Sequence, residues 1–437
     1  MKILHTSDWH LGRALYGRKR HAEFEHFLDW LLKTIAQEQI DILLVAGDVF
    51  DTGTPGNTAQ TLYYRFLHRV AASCCRHVVI IAGNHDSPSF LNAPRELLKA
   101  LDVHVVGSPT EGVGNAWDDE LRDEWRDELL VLRNAQGNPE MIVCAVPYLR
   151  DRDIRTAEAG ESIADKERKL IEGIRNHYAG IVSLARQKRA GLGVDLPVVA
   201  MGHLFTAGGK TVEGDGVREL YVGSLAHVAA NIFPDDLAYV ALGHLHVPQQ
   251  VGDSCNVRYS GSPLPMGFGE AGQQKSVVVV EFFSPETANG AQSNEQTAGW
   301  RERSLIKLVP IPVFQKLERI QGDLTLILNR IRELAANNTQ AWLEVIYDGD
   351  AVAGAGGDLR QQLDEAVSGA QLDILCVKNS RAMSRVLHRG CDQETLDDLN
   401  VKDVFARCLA AHDVAQAQQP ELVAAYDEIV QSLYATD

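Results

Sequence analysis

The chain has 437 residues, 45% of them hydrophobic and 23% charged, with a formal net charge of −17. That length suggests two or three domains with ample apolar content for a core, and the acidic balance argues against a strong grip on DNA by the chain alone, because phosphate neutralisation dominates such affinity. No apolar run approaches the ~20 residues of a membrane span; no signal peptide is read at the start; seven scattered cysteines without a C-x-x-C pair suggest neither a disulfide framework nor a zinc–thiolate site. The cytoplasm is the expected compartment.

In chain order, an apolar run at 3–5 leads into Ser7-Asp8-Trp9-His10. A helix is predicted next, since Phe24, Phe27, Leu28, Leu31, Leu32 and Ile35 form one stripe at i, i+3, i+4 spacing. The run 42–46 leads into Gly47-Asp48, and Tyr63, Phe66, Leu67 and Val70 mark a second helix. The run 78–82 leads into Gly83-Asn84-His85-Asp86; another apolar run covers 141–146. Leu170, Ile171, Ile174, Tyr178, Ile181 and Leu184 give a third helix. Then 198–201 leads into Gly202-His203, 239–242 into Gly243-His244-Leu245-His246, and a last run spans 277–283. These runs are too short and too uniformly apolar for amphipathic helices. They read as strands buried on both faces, and their alternation with helices predicts an α/β class.

A boundary follows this first domain, 1–285. Residues 284–298 are small, polar and aperiodic, and 286–309 reads as a connecting segment. A strand at 314–320, a helix at 324–334, a strand at 342–347, a helix at 359–367 and a strand at 372–377 predict a small α+β domain over 310–390. The tail, 391–437, reads as helical. One helix spans 401–411; another begins at Pro420 and carries Leu422, Tyr426, Ile429 and Leu433 on one stripe. By pattern alone the tail either folds back on the small domain or docks on a partner.

The chemistry lies at the strand ends. Asp8, His10, Asp48, Asn84, His203, His244 and His246 each come just after a predicted buried strand, where α/β sheets bind ligands. Glycines before Asp48, Asn84, His203 and His244 allow tight turns. Imidazole, carboxylate and carboxamide donors without thiolate suit Mn, Fe or Zn. In a two-metal site, ions ~4 Å apart share a bridging carboxylate and activate water for in-line attack on phosphorus. Asp48 is the natural bridge. Asp8 and His10, two apart on an extended segment, project the same way, as do His244 and His246. Each motif alone is commonplace: G-D is usually a turn, and a lone buried histidine is usually a satisfied core residue. The ordered set D-x-H, G-D, G-N-H-D, G-H, G-H-x-H has no comparable structural explanation.

That ordered set resembles the calcineurin-like metallophosphoesterases through about residue 285. The segments HTSDWHLG (5–12), AGDVFDTG (46–53), AGNHDS (82–87), YVGSL (221–225), ALGHLH (241–246) and YSGSPLP (259–265) are similar to the SbcD family, nuclease subunits of the bacterial SbcCD complex. The resemblance implies a metallophosphoesterase β-sandwich flanked by helices, a small α+β capping domain and a helical tail. It assigns one metal to Asp8, His10, Asp48 and His246, and a second to Asp48, Asn84, His203 and His244, with Mn²⁺ the usual ion. It implies double-strand exonuclease and single-strand or hairpin endonuclease activity in DNA recombination, replication and repair. The implied partners are DNA and an SbcC-type SMC-like ATPase docked on the tail. A homodimer within a heterotetramer is implied too, through helices around 58–72 and 94–101.

The family's catalytic histidine falls on His85. Its neighbour Asn84 binds metal, so the same loop presents an imidazole able to protonate the leaving oxygen. The plainer reading of His85 is a partner of a ligand. Asp51 either orients His85 or caps a loop or helix. Two basic stretches lack intervening acids: Arg13, Arg18, Lys19, Arg20 and His21, then Lys378, Arg381, Arg385, His388 and Arg389. Each either flanks the DNA path or is a solvated face. Two rivals to the nuclease remain: a phosphatase or cyclic-nucleotide phosphodiesterase on the same fold, and a scaffold subunit without metals.

Overall fold

The computed structural model describes residues 1–109, 128–154, 161–206, 232–252, 254–283, 299–349 and 355–379, and also 405, 409, 422, 423 and 426. The chain divides into two compact units, Met1–Gln315 and Lys316–Asp437.

The first unit opens with β1 (Lys2–Thr6), a small hairpin of β2 (Ala14–Leu15) and β3 (Arg18–Lys19), α1 (His21–Glu38) and β4 (Ile42–Ala46). It continues with α2 (Asn57–Ala71), β5 (His77–Ile81), α3 (Pro88–Asn92), α4 (Arg95–Lys99), β6 (Val103–Val106), β7 (Leu129–Arg133), β8 (Pro139–Ala145), α5 (Asp151–Ile154) and α6 (Ile163–Leu192). Then come β9 (Val198–His203), β10 (Tyr239–Gly243), β11 (Gln249–Val251), β12 (Ser254–Tyr259), β13 (Ser276–Phe282) and β14 (Ser304–Pro310).

Two six-stranded sheets result, ordered β14-β13-β1-β4-β5-β6 and β11-β12-β10-β9-β8-β7. Their centres are parallel: β1, β4, β5 and β6 in one, β8, β9, β10 and β12 in the other. Side chains alternate between two buried faces. Ile3, Ile42, Leu44, Val79 and Ile81 meet Met141, Val143, Val199, Met201 and Ala241 between the sheets. The intervening Leu4, Leu43, Val45, Val78 and Ile80 face the apolar stripes of α1 and α2, while Ile142, Cys144, Ala200 and Val240 pack on Ile174, Tyr178 and Ile181 of α6. Burial on both faces is why these strands read as unbroken apolar runs. The architecture is a β-sandwich with helices on both sides, and it brings the carboxyl ends of β1, β4, β5, β9 and β10 together.

One boundary differs from expectation. The segment read as a connection over 286–309 ends in strand β14, which pairs antiparallel with β13 from Ser304↔Phe282 to Pro310↔Ser276. As an edge strand it leaves Leu305 and Leu308 exposed and includes Lys307, so no unbroken apolar run announces it.

The second unit runs β15 (Lys316–Gly322), α7 (Leu324–Ala336), β16 (Ala341–Tyr347), α8 (Ala355–Val367) and β17 (Leu372–Asn379). Its three strands are parallel in the order β15-β16-β17. Asp323 caps α7 by accepting from the Leu326 N–H at 2.8 Å. Ile327, Ile331 and Leu334 of α7 close the core over Ile320, Leu343 and Val345. Of the tail, Phe405 and Tyr426 are helical, and their rings stack at 3.9 Å; most of 391–437 lies outside the described residues. No described helix is long and apolar enough to cross a membrane.

Candidate metal centre

Two loops lie side by side at the strand ends. The Asp8 N–H donates to the Gly47 carbonyl at 3.0 Å and the His10 N–H to the Asp48 carbonyl at 2.9 Å. Asp8 and His10 converge, but not as alternate residues of an extended segment. Their φ angles are 51° and 47°, Asp48 has φ 48° and His244 has φ 102°. Non-glycine residues held at positive φ cost ~1–3 kcal/mol each and mark functional sites when the surroundings enforce them. Two glycines are dictated by close approach. A Cβ on Gly83 would lie 2.1 Å from Asp48 Oδ1, and one on Gly243 would lie 1.9 Å from the Ala46 carbonyl oxygen.

All seven candidate ligands meet here. Asp8, His10, Asp48, His203 and His246 are essentially solvent-free, His244 is buried and Asn84 half-buried. His10 Nε2 lies 3.2 Å from His246 Nε2 and 3.6 Å from Asp48 Oδ2. The same Asp48 oxygen also faces His203, with Oδ2 3.3 Å from Nε2. Asn84 Oδ1 lies 2.9 Å from His203 Nε2 and 3.0 Å from His244 Nδ1. Asp8 Oδ1 accepts the His244 N–H at 2.9 Å, and Ser7 Oγ donates to Asp8 Oδ2 at 2.5 Å.

These donors fit divalent ions. Asp8, His10 and His246 form one group whose ligand atoms lie within 4.8 Å of one another; Asp8, Asp48 and His203 form another. The two imidazole nitrogens face each other at 3.2 Å, close to the spacing of two nitrogens each ~2.1 Å from one ion. Burial and His203 hold His244 down near pKa 3, so it is a neutral donor. Asp48 is held far below the carboxylate range: burial opposes this, but His203 and His10 outweigh it.

His85 borders this cluster, its ring edge-on to His10 at 4.8 Å between centroids. Its Nδ1 lies 2.8 Å from the Asp51 backbone carbonyl. A carbonyl only accepts, so Nδ1 carries the proton and Nε2 is the nitrogen left for exchange. Asp51 thus orients His85 through its main chain. Its carboxylate does something else, lying 3.4 Å from His10 Nδ1 and accepting from Arg13 at 3.0 Å. Burial opposes ionisation of Asp51, but His10 and Arg13 bring its pKa to about 2.

Sequence reasoning passed over two carboxylates. Asp86, in the G-N-H-D segment, accepts the N–H groups of Val49, Phe50 and Gly83 at 3.1, 3.0 and 2.9 Å, tying the loops after β4 and β5 together. Burial, then Asp48, raises its pKa to about 7. Glu270, fully buried on a short 3₁₀ turn (Phe268–Glu270), places Oε1 3.3 Å from His246 Nδ1. Its Oε2 accepts from Lys275 and from the Met266 N–H. The carboxylate holds a proton on His246 Nδ1 and turns Nε2 toward His10. Glu270→Gln is expected to weaken metal affinity about 10–100-fold with the fold intact; unchanged binding in equilibrium dialysis would exclude that role.

The basic residues separate. Arg18 and Lys19 are exposed on the hairpin just after His10, and Arg13 pairs with Asp51. Arg20, expected among the DNA contacts, is only 1% exposed: Nε and Nη2 hold both Glu23 oxygens at 2.9 and 2.7 Å, and Nη1 donates to the Pro265 carbonyl at 2.6 Å. It is an internal strut, which a charge-run reading could not distinguish. Arg381 and Arg385 lie outside the described residues, as does the 221–225 segment.

The sandwich and its cluster of acids and imidazoles define a metal-dependent phosphoesterase: the calcineurin-like phosphoesterase family model matches residues 1–248. The chain belongs more narrowly to the SbcD family, the nuclease subunits of SbcCD. The SbcD subunit from Escherichia coli (strain K12) is 35% identical over 425 residues, covering 97% of this chain and 96% of the relative. Its counterparts from Rhodobacter capsulatus and Bacillus subtilis (strain 168) are 38% and 36% identical, covering 64% and 66% of this chain and 66% and 68% of their own. Residues 313–413 match the type 5 capsule protein repressor C-terminal domain. The chain is a metal-dependent phosphodiesterase of the nuclease kind, and the phosphatase alternative is not favoured.

Proposed function

We propose that the chain is the nuclease subunit of an SbcCD-type complex, cutting DNA as a double-strand exonuclease and as a single-strand and hairpin endonuclease during recombination, replication and repair. The observation that carries this is the convergence of seven nitrogen and oxygen donors beside His85, in a chain alignable over nearly its whole length with such a nuclease subunit. Asp8, His10, Asp48 and His246 would hold one ion and Asp48, Asn84, His203 and His244 the other, with Mn²⁺ the favoured metal. When bound, the ions would supply positive charge against the phosphoryl group and an activated water as nucleophile. Asp48 fixes the spacing between the two halves. Asp86 and the Gly47–Asp8 backbone bond keep the ligand loops from drifting. His85 Nε2 delivers a proton to the leaving oxygen while the Asp51 carbonyl holds its ring.

The test is incubation of the purified chain with Mn²⁺ and either hairpin DNA or a small phosphomonoester. DNA cleavage supports the reading; monoester turnover without it, or inactivity on both, overturns it. Arg18 and Lys19 are the basic pair best exposed near the centre. Reversing both charges is expected to weaken DNA binding and to flatten the slope of log K against log salt by about 1.8, at ~0.9 per phosphate contact; an unchanged slope would remove them from the DNA path. The partner is an SbcC-type SMC-like ATPase, the chain acting in the cytoplasm as a homodimer within a heterotetramer. Deleting 391–437 is expected to leave metal-dependent cleavage intact and to abolish co-purification with the ATPase, so co-purification of the truncated chain refutes tail docking.

A further inference from the structure

We propose that His77, Asp102 and His104 form a second metal site, for one divalent ion of the zinc class, separate from the nuclease centre. The three sit at the amino end of β5 and beside the start of β6, whereas the nuclease donors follow the carboxyl ends of β1, β4 and β5. About 13 Å of strand, roughly four residues of β5, lies between the two ends.

The sheet register builds the site. β5 and β6 are parallel neighbours with Val79 opposite His104, so His77 and His104 project from the same face of the sheet edge. Their rings lie 5.8 Å apart, tilted by 39°. His77 Nε2 is 2.8 Å from the Arg133 backbone carbonyl, which can only accept. Nε2 therefore carries the proton, and Nδ1 offers its lone pair inward, 3.8 Å from Asp102 Oδ1. His77 Nδ1 and His104 Nε2 are both buried, and neither has a hydrogen-bond partner. Buried polar nitrogens are nearly always partnered, and two left bare side by side call for an explanation.

A shared ion explains both. One ligand atom from each of the three residues lies within 4.8 Å of the others. Two imidazoles and one carboxylate suit zinc, with nickel and copper of the same preference. Asp102 is two-thirds exposed on its side chain, so solvent could supply a fourth ligand. Its backbone is already anchored: the Asp102 carbonyl accepts the Val78 N–H at 3.0 Å. The ion would pin the edge strand β6 to β5.

The test uses the full chain and counts Zn²⁺ equivalents by competition with a chromophoric chelator, with Co²⁺ absorption as a reporter of coordination. Wild type should bind one equivalent more than Asp102→Asn and one more than His104→Gln, with metal-dependent cleavage unchanged in both. Asp102→Asn is the safer variant, because asparagine tolerates the φ of 55° found there. In an Asp48→Asn background, with the nuclease centre disabled, one equivalent with visible Co²⁺ bands should remain and disappear when Asp102→Asn is added. Equal stoichiometry in wild type, Asp102→Asn and His104→Gln overturns the proposal. So does the absence of any bound ion in the Asp48→Asn chain when melting shows it folded.

Discussion

Replacing His85 by alanine is expected to lower DNA cleavage by about 10²–10⁴-fold, the range of general acid catalysis, while metal stoichiometry stays at its wild-type value. The split follows from which His85 atoms do what. Its side chain bonds the Asp51 carbonyl through Nδ1, which leaves Nε2 free for exchange, and its ring sits edge-on to His10. Its main-chain N–H donates to Asp48 Oδ1 at 2.9 Å. Alanine keeps that N–H, so Asp48 keeps its orientation and the ion sites keep their ligands. Single-turnover cleavage of a hairpin oligonucleotide, beside equilibrium dialysis of the metal, separates the two roles. A parallel loss of bound metal would make His85 a support of a ligand instead. Asp51→Ala supplies a contrast: it removes the carboxylate from His10 and Arg13 but keeps the carbonyl that holds His85, so its cleavage loss should be much the smaller.

The convergence of the seven candidate residues was legible because each follows a buried strand, four of them directly after a glycine. Each run before them is apolar on both faces, and that pattern survives without an alignment. The geometry that gathers them was read less well. Asp8 and His10 share a side through left-handed backbone, which no spacing rule for extended chain foresees. Glu270 lies outside every strand-end motif, on a short turn, and reaches His246 only because the chain returns there. Asp86 was in plain view, but its work is to accept three main-chain N–H groups from two loops, and backbone partners leave no mark in sequence. Arg20 looked like part of a basic run; its guanidinium instead pairs with Glu23, three residues on, and with a distant carbonyl. Strand β14 escaped because none of its residues is fully buried and Leu305 and Leu308 are exposed, so it carries no unbroken apolar run.

Asp48→Asn is expected to cost both ions and to bring cleavage to background, since the one side chain faces His10 and His203 alike. The change also exposes a proton that metal must displace. His203 Nδ1 lies 3.0 Å from the Ala46 carbonyl and Nε2 2.9 Å from Asn84 Oδ1, two acceptors for one ring. Without metal the ring therefore donates from both nitrogens. Burial alone would lower its pKa, but Asp48, and further off Asp8, raise it to about 9. A raised histidine pKa stabilises the metal-free fold fully below ~6.5, and that contribution fades as pH climbs through about 9. Binding through Nε2 must expel this proton at neutral pH, so affinity falls on acidification and calorimetric enthalpy tracks the ionisation enthalpy of the buffer. With asparagine at 48 the main anion beside the ring is gone and its pKa drops. Thermal melts of the metal-free proteins between about pH 7 and 10 should then show the high-pH loss of stability in wild type and a flatter course in Asp48→Asn. Identical profiles would mean that His203 is neutral in the wild-type pocket and that metal enters without displacing its proton.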